Sequence, residues 1–206
     1  MLKTNKNIQN KQIEKNTLLA DLNKTKPLGE SVITKMAFFI ILRGAAGVGK
    51  TTVGQELARA LHGECLHIDK ILEKNKLGYV IGEKLVPEEN FFKINNLICP
   101  HIKKQLQQGT SVVLEGNFYH KSQIEDIAEK VGGRFFVFTL EASLEECVRR
   151  DAKRNPIGRK RIMDVYKLVS SFDSGIIVDT NGKNPAEINK EIASYLPNIS
   201  FPLNFL

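Results

Sequence analysis

Phe38-Phe39-Ile40-Ile41-Leu42-Arg43-Gly44-Ala45-Ala46-Gly47-Val48-Gly49-Lys50-Thr51-Thr52 is the stretch that decides the fold of this chain. Its first residues form a near-continuous apolar run of strand length that ends on glycine, the pattern of a strand buried on both faces. Residues 44–51 then match G-x-x-x-x-G-K-[ST] at every fixed position, and residues 50–62 continue as an amphipathic helix. Gly44, Gly47 and Gly49 let the backbone turn its N–H groups inward around a phosphate, with Ala45, Ala46 and Val48 completing the loop. The helix N-terminus adds the positive end of its dipole. On this reading Lys50 reaches the β- and γ-phosphates of a nucleoside triphosphate, the Thr51 hydroxyl ligates Mg²⁺, and Thr52 supports the α-phosphate side. The alternative, a glycine-rich turn that binds nothing, is disfavoured because strand and helix stand on the sides the motif requires.

Working outward, buried-strand runs alternate with helical patterns. Strands are expected at 38–43, 65–68, 111–115, 134–140 and 175–179, and helices at 50–62, 88–108, 120–131, 143–154, 160–170 and 185–196. Such alternation signals βαβ units, an α/β fold whose parallel sheet is covered on both faces. Gly109 is placed to end the helix before the third strand, Ser143 to cap the next with Glu146 three residues on, and Pro185 to open the last.

The 206 residues are 42% hydrophobic and 26% charged, the composition of a globular chain with a single domain and a tail. Residues 1–35 are rich in Lys and Asn and poor in apolar residues, so they read as a disordered N-terminal extension, with 36–206 as the domain. Met36 just before the first strand is an alternative start. Cys65, Cys99 and Cys147 form neither a metal-ligand spacing nor an even disulfide set, which suggests a reduced, cytoplasmic protein. No apolar run is long enough to span a bilayer.

The formal charge of +7 would suit a nucleic-acid partner if it were spread over one face. Instead it is local. Seven lysines in 1–35 face Glu14, Asp21 and Glu30, and the seven cations of 149–161 face only Asp151, so the remainder is net negative.

Phosphoryl transfer calls for Mg²⁺ placement and an acid to orient or deprotonate the acceptor, so carboxylates at strand ends beside the loop are the candidates. Asp69 is expected to end the second strand and Glu115 the third. Glu115 follows a run of apolar residues and fits a carboxylate that holds Mg²⁺ through water; Asp69 fits either an acceptor-side base or a Mg²⁺ ligand of the second shell. Helix capping is the plainer alternative for both. His67 shares the strand face of Asp69 but reads as structural, and Asn117 and Tyr119 read either as acceptor contacts or as loop polar groups. From 150 to 165 an arginine-dense segment interrupted by Asn155-Pro156 suits a lid over the triphosphate, with Arg150 and Arg154 on one helix face and Arg159 at its tip. A solvated basic helix is the competing reading. Asp179-Thr180-Asn181-Gly182 ends the last strand as a polar turn, which reads either as ordinary Asn-Gly turn chemistry or as a contact to the nucleotide base.

Taken together, IILRGAAGVGKTT, HIDKILE, SVVLEGNFY, LEASLEECVRRDAKR and IIVDT, in that order, resemble the small P-loop kinases grouped with polynucleotide kinase, zeta toxin and chloramphenicol phosphotransferase, with gluconate and shikimate kinases as further relatives. The resemblance covers about 37–196. It implies a three-layer α/β/α P-loop NTPase fold, a five-stranded sheet of order 2-3-1-4-5, ATP with Mg²⁺, an acceptor-side acid at Asp69, and lid arginines among Arg150, Arg154 and Arg159. His67-Ile68-Asp69 replaces the D-x-D of shikimate-type kinases, which argues against that substrate. No N-K-x-D guanine motif is found.

The expectation is therefore an ATP-dependent kinase acting on a hydroxyl-bearing acceptor. An ATPase or nucleotide switch without a phosphorylated product is the runner-up, and a nucleic-acid acceptor tethered by the lysine-rich tail a third reading.

Overall fold

The computed structural model describes residues 37–78, 85–153 and 156–197 of the chain; the expected N-terminal extension, 1–35, lies outside them. Five strands form one parallel sheet: β1 (Phe39–Gly44), β2 (Glu64–His67), β3 (Val112–Gly116), β4 (Phe135–Glu141) and β5 (Ile176–Asp179). Their spatial order is β2-β3-β1-β4-β5, the expected one. Seven helices are found among the described residues: α1 (Lys50–Ala60), α2 (Ile68–Lys74), α3 (Glu88–Gln107), α4 (Lys121–Val131), α5 (Leu144–Asp151), α6 (Arg159–Val169) and α7 (Pro185–Ser194).

Every residue of β1 is buried because the strand is central and loaded on both sides. Successive side chains of a strand point to opposite faces, so Ile40 and Leu42 meet one helical layer and Phe39 and Ile41 the other. The first face packs with Val113, Phe138 and Leu140 against Val53 and Leu57 of α1 and Ile188 and Ile192 of α7. On the second, Ile94 and Ile98 of α3, Ile124 and Ile127 of α4 and Leu72 of α2 close over Val112 and Leu114. Each such side chain contributes about 1.5–3 kcal/mol on burial. Two filled faces make the three layers, and truncating Leu57 at the centre of one would cost about 2–5 kcal/mol.

Local chemistry sets the helix ends. The Ser143 hydroxyl accepts from the Glu146 N–H at 3.2 Å, and Asn184 and Glu187 cap each other reciprocally ahead of Pro185. Gly109, at φ 76°, follows the last turn of α3.

One expected element is corrected. The second strand stops at His67, and α2 begins at Ile68, so Asp69 stands in the first turn of a helix instead of on a strand. Ile68 and Leu72, four apart and both buried, pin this seven-residue helix to β3 and α3, while its acidic first turn suits the helix dipole.

Candidate active site

The carboxyl ends of the parallel strands converge on the loop between β1 and α1. Gly47 (φ 89°) and Gly49 (φ 104°) hold left-handed conformations that other residues adopt at a cost. At Gly47 a side chain would also collide with the carbonyl oxygen of Cys147 in α5, so the loop and α5 approach closely only because that residue is glycine. Lys50 opens α1 and is 7% exposed. Its Nζ donates to the carbonyls of Gly44 (2.9 Å) and Ala45 (2.8 Å) and to Asn117 Oδ1 (3.1 Å), which holds the ammonium against the loop.

Beside it, parallel pairing sets His67 of β2 opposite Glu115 of β3. Glu115 is 5% exposed, and its Oε1 accepts from the Thr51 hydroxyl at 3.3 Å and from His67 Nδ1 at 2.7 Å. Gln55 Nε2 lies 3.3 Å from the other imidazole nitrogen and donates to it, so the ring proton sits on Nδ1. Thr51 Oγ1 and the Glu115 carboxylate form an all-oxygen donor pair. Among the described residues no group of three or more His, Cys, Asp or Glu could hold a metal alone. Those facts fit Mg²⁺, which keeps several waters and takes one or two protein oxygens together with phosphate oxygens.

Asn117 links the halves of the site. Its Oδ1 receives Lys50, and its Nδ2 donates to Asp69 Oδ2 at 3.4 Å. Asp69 is open to water at its surface yet stands in a concave cleft, where the surrounding protein pushes its carboxyl above the ordinary range. Lys50 pulls it back, Glu115 and Glu73 push it further up, and Arg161 pulls it down.

These groups line a cleft of about 340 Å³ that contains Lys50, Thr51, Asp69, Glu115, Asn117 and Arg161. Ala46, Gly47 and Gly49 of the loop edge it, as does Thr52. A second cleft, about 400 Å³, shares Gly49 and Thr52 and continues behind the loop past Val48, Arg150 and Asn184.

The arginines of the lid segment separate. Arg150 lines the second cleft and not the first, and its guanidinium is committed: Nε donates to Glu146 (2.7 Å), Nη1 to the carbonyl of Val48 (3.1 Å) and the hydroxyl of Thr180 (3.3 Å), Nη2 to the carbonyl of Thr180 (2.7 Å). Arg154 lies outside the described residues. Arg159 is the exposed first residue of α6 and lines neither cleft. Arg161 reaches the site instead, two residues further along that helix. No sequence signal singles it out among the cations of 149–161; the packing of α6 turns it, with Val165 one turn on, to the cleft. The contact of His67 with Glu115 follows from strand register, which the sequence did not supply. In the last polar turn, Asp179 Oδ1 accepts from the Asn181 N–H (3.0 Å) and Nδ2 (2.7 Å), the turn reading of that segment.

Comparison with known proteins places this geometry. A family model described as an AAA domain matches residues 39–166. A shikimate kinase from Corynebacterium efficiens is 26% identical over 171 residues, 76% of this chain and 95% of its own length. Among solved structures, a gluconokinase from Sinorhizobium meliloti superposes with a TM-score of 0.57 at 15% identity, covering 78% of this chain and 91% of that one. The Deinococcus radiodurans tunicamycin resistance protein gives 0.60 at 17% identity, covering 81% and 99%. These low identities bear on the fold alone.

Proposed function

The chain belongs to the AAA domain family and is an ATP-dependent P-loop phosphotransferase, and on that premise we propose that its first cleft passes the γ-phosphate of Mg-ATP to a hydroxyl of a small molecule lying against Asp69. Lys50 neutralises charge on the β- and γ-phosphates, leaving the loop carbonyls it touches now. Thr51 and Glu115 would hold Mg²⁺, which would supply charge neutralisation to the transferring phosphate. Asp69 accepts the proton of the acceptor hydroxyl as that oxygen bonds to the γ-phosphorus. The bond from phosphorus to the β,γ-bridging oxygen breaks, and ADP leaves. Arg161 faces the same space, while Arg150 braces the loop from behind, beside the second cleft. Arg154 and Arg159 retain the role of lid cations, Arg159 from the exposed start of α6.

The observation that carries this reading is the Lys50-Asn117-Asp69 chain of hydrogen bonds, which sets an acid one side chain from the phosphate-binding lysine. A water-using switch has no need of it. The test is ADP release from Mg-ATP with and without pooled metabolites, with oligonucleotides as a separate pool and Lys50→Ala as blank. Stimulation by a metabolite pool is expected. Steady Lys50-dependent turnover that no pool raises would assign the protein to ATP hydrolysis without a phosphorylated product.

Among the described residues no helix is long and apolar enough to cross a membrane.

A further inference from the structure

We infer that Tyr119 is a positioning residue for the phosphoryl acceptor: its hydroxyl fixes Val86 in the wall of the first cleft and so sets acceptor affinity, without touching ATP. The inference rests on the phosphotransfer reading of that cleft and deepens it.

Leu85 and Val86 line the first cleft shortly before α3, and Gly78 lines it shortly after α2. Neither stretch lies in a helix or a strand, so side chains from below hold them in place. The Tyr119 hydroxyl accepts from the Val86 N–H at 3.0 Å and donates to the Val86 carbonyl at 3.3 Å, pairing both backbone polar groups of one residue as a neighbouring strand would. Asn90, in the first turn of α3, does the equivalent for the other stretch. Its Nδ2 donates to the carbonyl of Leu77 at 3.1 Å, and Lys93 Nζ donates to its Oδ1 at 3.2 Å, which fixes the orientation of the amide. Tyr119 is 6% exposed and Asn90 7%, so both tethers are held by packing and not by solvent-facing rotamers.

The turn after β3 separates this task from the phosphate side. Phe118 holds φ 45°, a left-handed conformation that a bulky residue adopts at a cost. Its side chain is buried and its carbonyl accepts from Arg43 Nε, so the surroundings enforce the turn. Asn117, before it, bonds to Lys50 and Asp69; Tyr119, after it, bonds to Val86. The Tyr119 ring meets that of Phe91 edge-on at 5.2 Å, a packing contact that does not need the hydroxyl. Burial pushes the hydroxyl up to about 12, against the bond to Val86, with Asp69 raising it further and Arg161 lowering it. It therefore keeps at neutral pH the proton that it gives to Val86. The influence of Asp69 and Arg161 on it places the tether at the acceptor end of the cleft.

The experiment uses the full chain, γ-labelled ATP and, as acceptor probe, the metabolite pool that raises ADP release, added as a dilution series. Tyr119→Phe keeps the ring and removes the hydroxyl; Asn90→Leu releases the carbonyl of Leu77 from the other side. The expected result in each is a rise of about fivefold or more in the half-saturating pool concentration, the scale of one lost neutral hydrogen bond, with kcat and the KM for ATP within about twofold of the unaltered chain. Native-state hydrogen exchange reads the wall itself: in Tyr119→Phe the Val86 amide should exchange at least about tenfold faster, with the amides of β1 and β3 unchanged. Pool and ATP half-saturation rising together, a fall in kcat alone, or no change in either overturns the inference and leaves the phosphotransferase standing, as does unaltered exchange at Val86. Absence of pool-stimulated, Lys50-dependent label transfer in the unaltered chain overturns the phosphotransfer reading and the inference with it.

Discussion

His67 Nδ1 lies 2.7 Å from Glu115 Oε1, the same oxygen that accepts the Thr51 hydroxyl, and Gln55 fixes the far side of the imidazole. The ring therefore holds a carboxylate that faces the phosphate loop, as outer partners commonly do around metal-binding carboxylates. Removing it with His67→Ala frees Glu115 to rotate. The half-saturating Mg²⁺ concentration for ADP release is expected to rise by about tenfold or more, with metal-free nucleotide binding unchanged. His67→Asn, which can still donate near the Nδ1 position, should recover part of the loss. An unaltered Mg²⁺ titration in His67→Ala would show that Glu115 needs no such support.

The neighbours of Asp69 allow its titration to be moved in both directions. Its carboxyl is raised, first by the loss of solvation in its concave surroundings, and Glu73 adds to the rise while Arg161 opposes it. A base works ionised, so kcat/KM falls as pH drops through this group, and the acid limb should stand above the ordinary aspartate value of about 3.9. In Glu73→Gln a negative neighbour is gone, ionisation is easier, and the limb moves to lower pH. In Arg161→Ala a positive neighbour is gone, and it moves to higher pH. Shifts of the same sign in the two variants would remove Asp69 as the titrating group. For stability the sign is opposite to that of an ordinary paired acid: with its folded value raised, Asp69 favours the fold at pH below its unfolded value and loses that contribution as pH rises through the folded one.

The loop and the sheet were legible because their signals are local. A complete phosphate-loop motif, an apolar β1 and regular strand spacing depend on neighbours in sequence, and the family resemblance added the strand order now seen. The short helix α2 was not legible. Seven residues give barely two turns, too few for periodicity to compete with the strand run that precedes them. For the lid segment, composition announced arginines without saying which way they point. Arg150 turned out to be consumed by backbone carbonyls at the rear of the loop, and the cleft received Arg161, whose direction depends on how α6 packs.

That rear position makes Arg150 separable from a transition-state cation. Its donors join Glu146, the Val48 carbonyl and both oxygens of Thr180, tying α5 and the turn after β5 to the phosphate loop. Hydrogen bonds from a charged group contribute about 1.5–3 kcal/mol each when well made. Arg150→Ala is thus expected to raise the KM for ATP by about tenfold or more with a smaller change in kcat, as loss of ground-state binding does. A fall in kcat at unchanged KM would return Arg150 to the transferring phosphate.

Arg43 extends this argument from the loop to the far helix. It sits on β1, is fully buried, and has no carboxylate at salt-bridge distance among the described residues. Its Nη2 donates to the carbonyl of Val169 at 2.7 Å, Nη1 to Thr139 Oγ1 at 3.1 Å and the carbonyl of Phe172 at 3.2 Å, and Nε to the carbonyl of Phe118 at 3.3 Å, with the Phe172 ring 4.1 Å below. Burial lowers its pKa to about 10, still high enough to keep it charged at neutral pH. One guanidinium thereby satisfies the last carbonyl of α6, the helix that carries Arg161 and Val165 into the cleft. Arg43→Met would leave those buried carbonyls without a donor, at about 1–3 kcal/mol for each left unsatisfied. The urea midpoint is expected to fall by an amount equivalent to about 3 kcal/mol. In the fraction that stays folded, the acceptor KM should rise more than the KM for ATP, because α6 loosens on the acceptor side while the phosphate loop keeps its own bonds to Lys50 and Arg150. Arg43→Lys, which restores charge without the planar fork, should regain less than half of the stability. A variant that lost ATP and acceptor affinity in equal measure would show that Arg43 serves the sheet as a whole and not the position of α6.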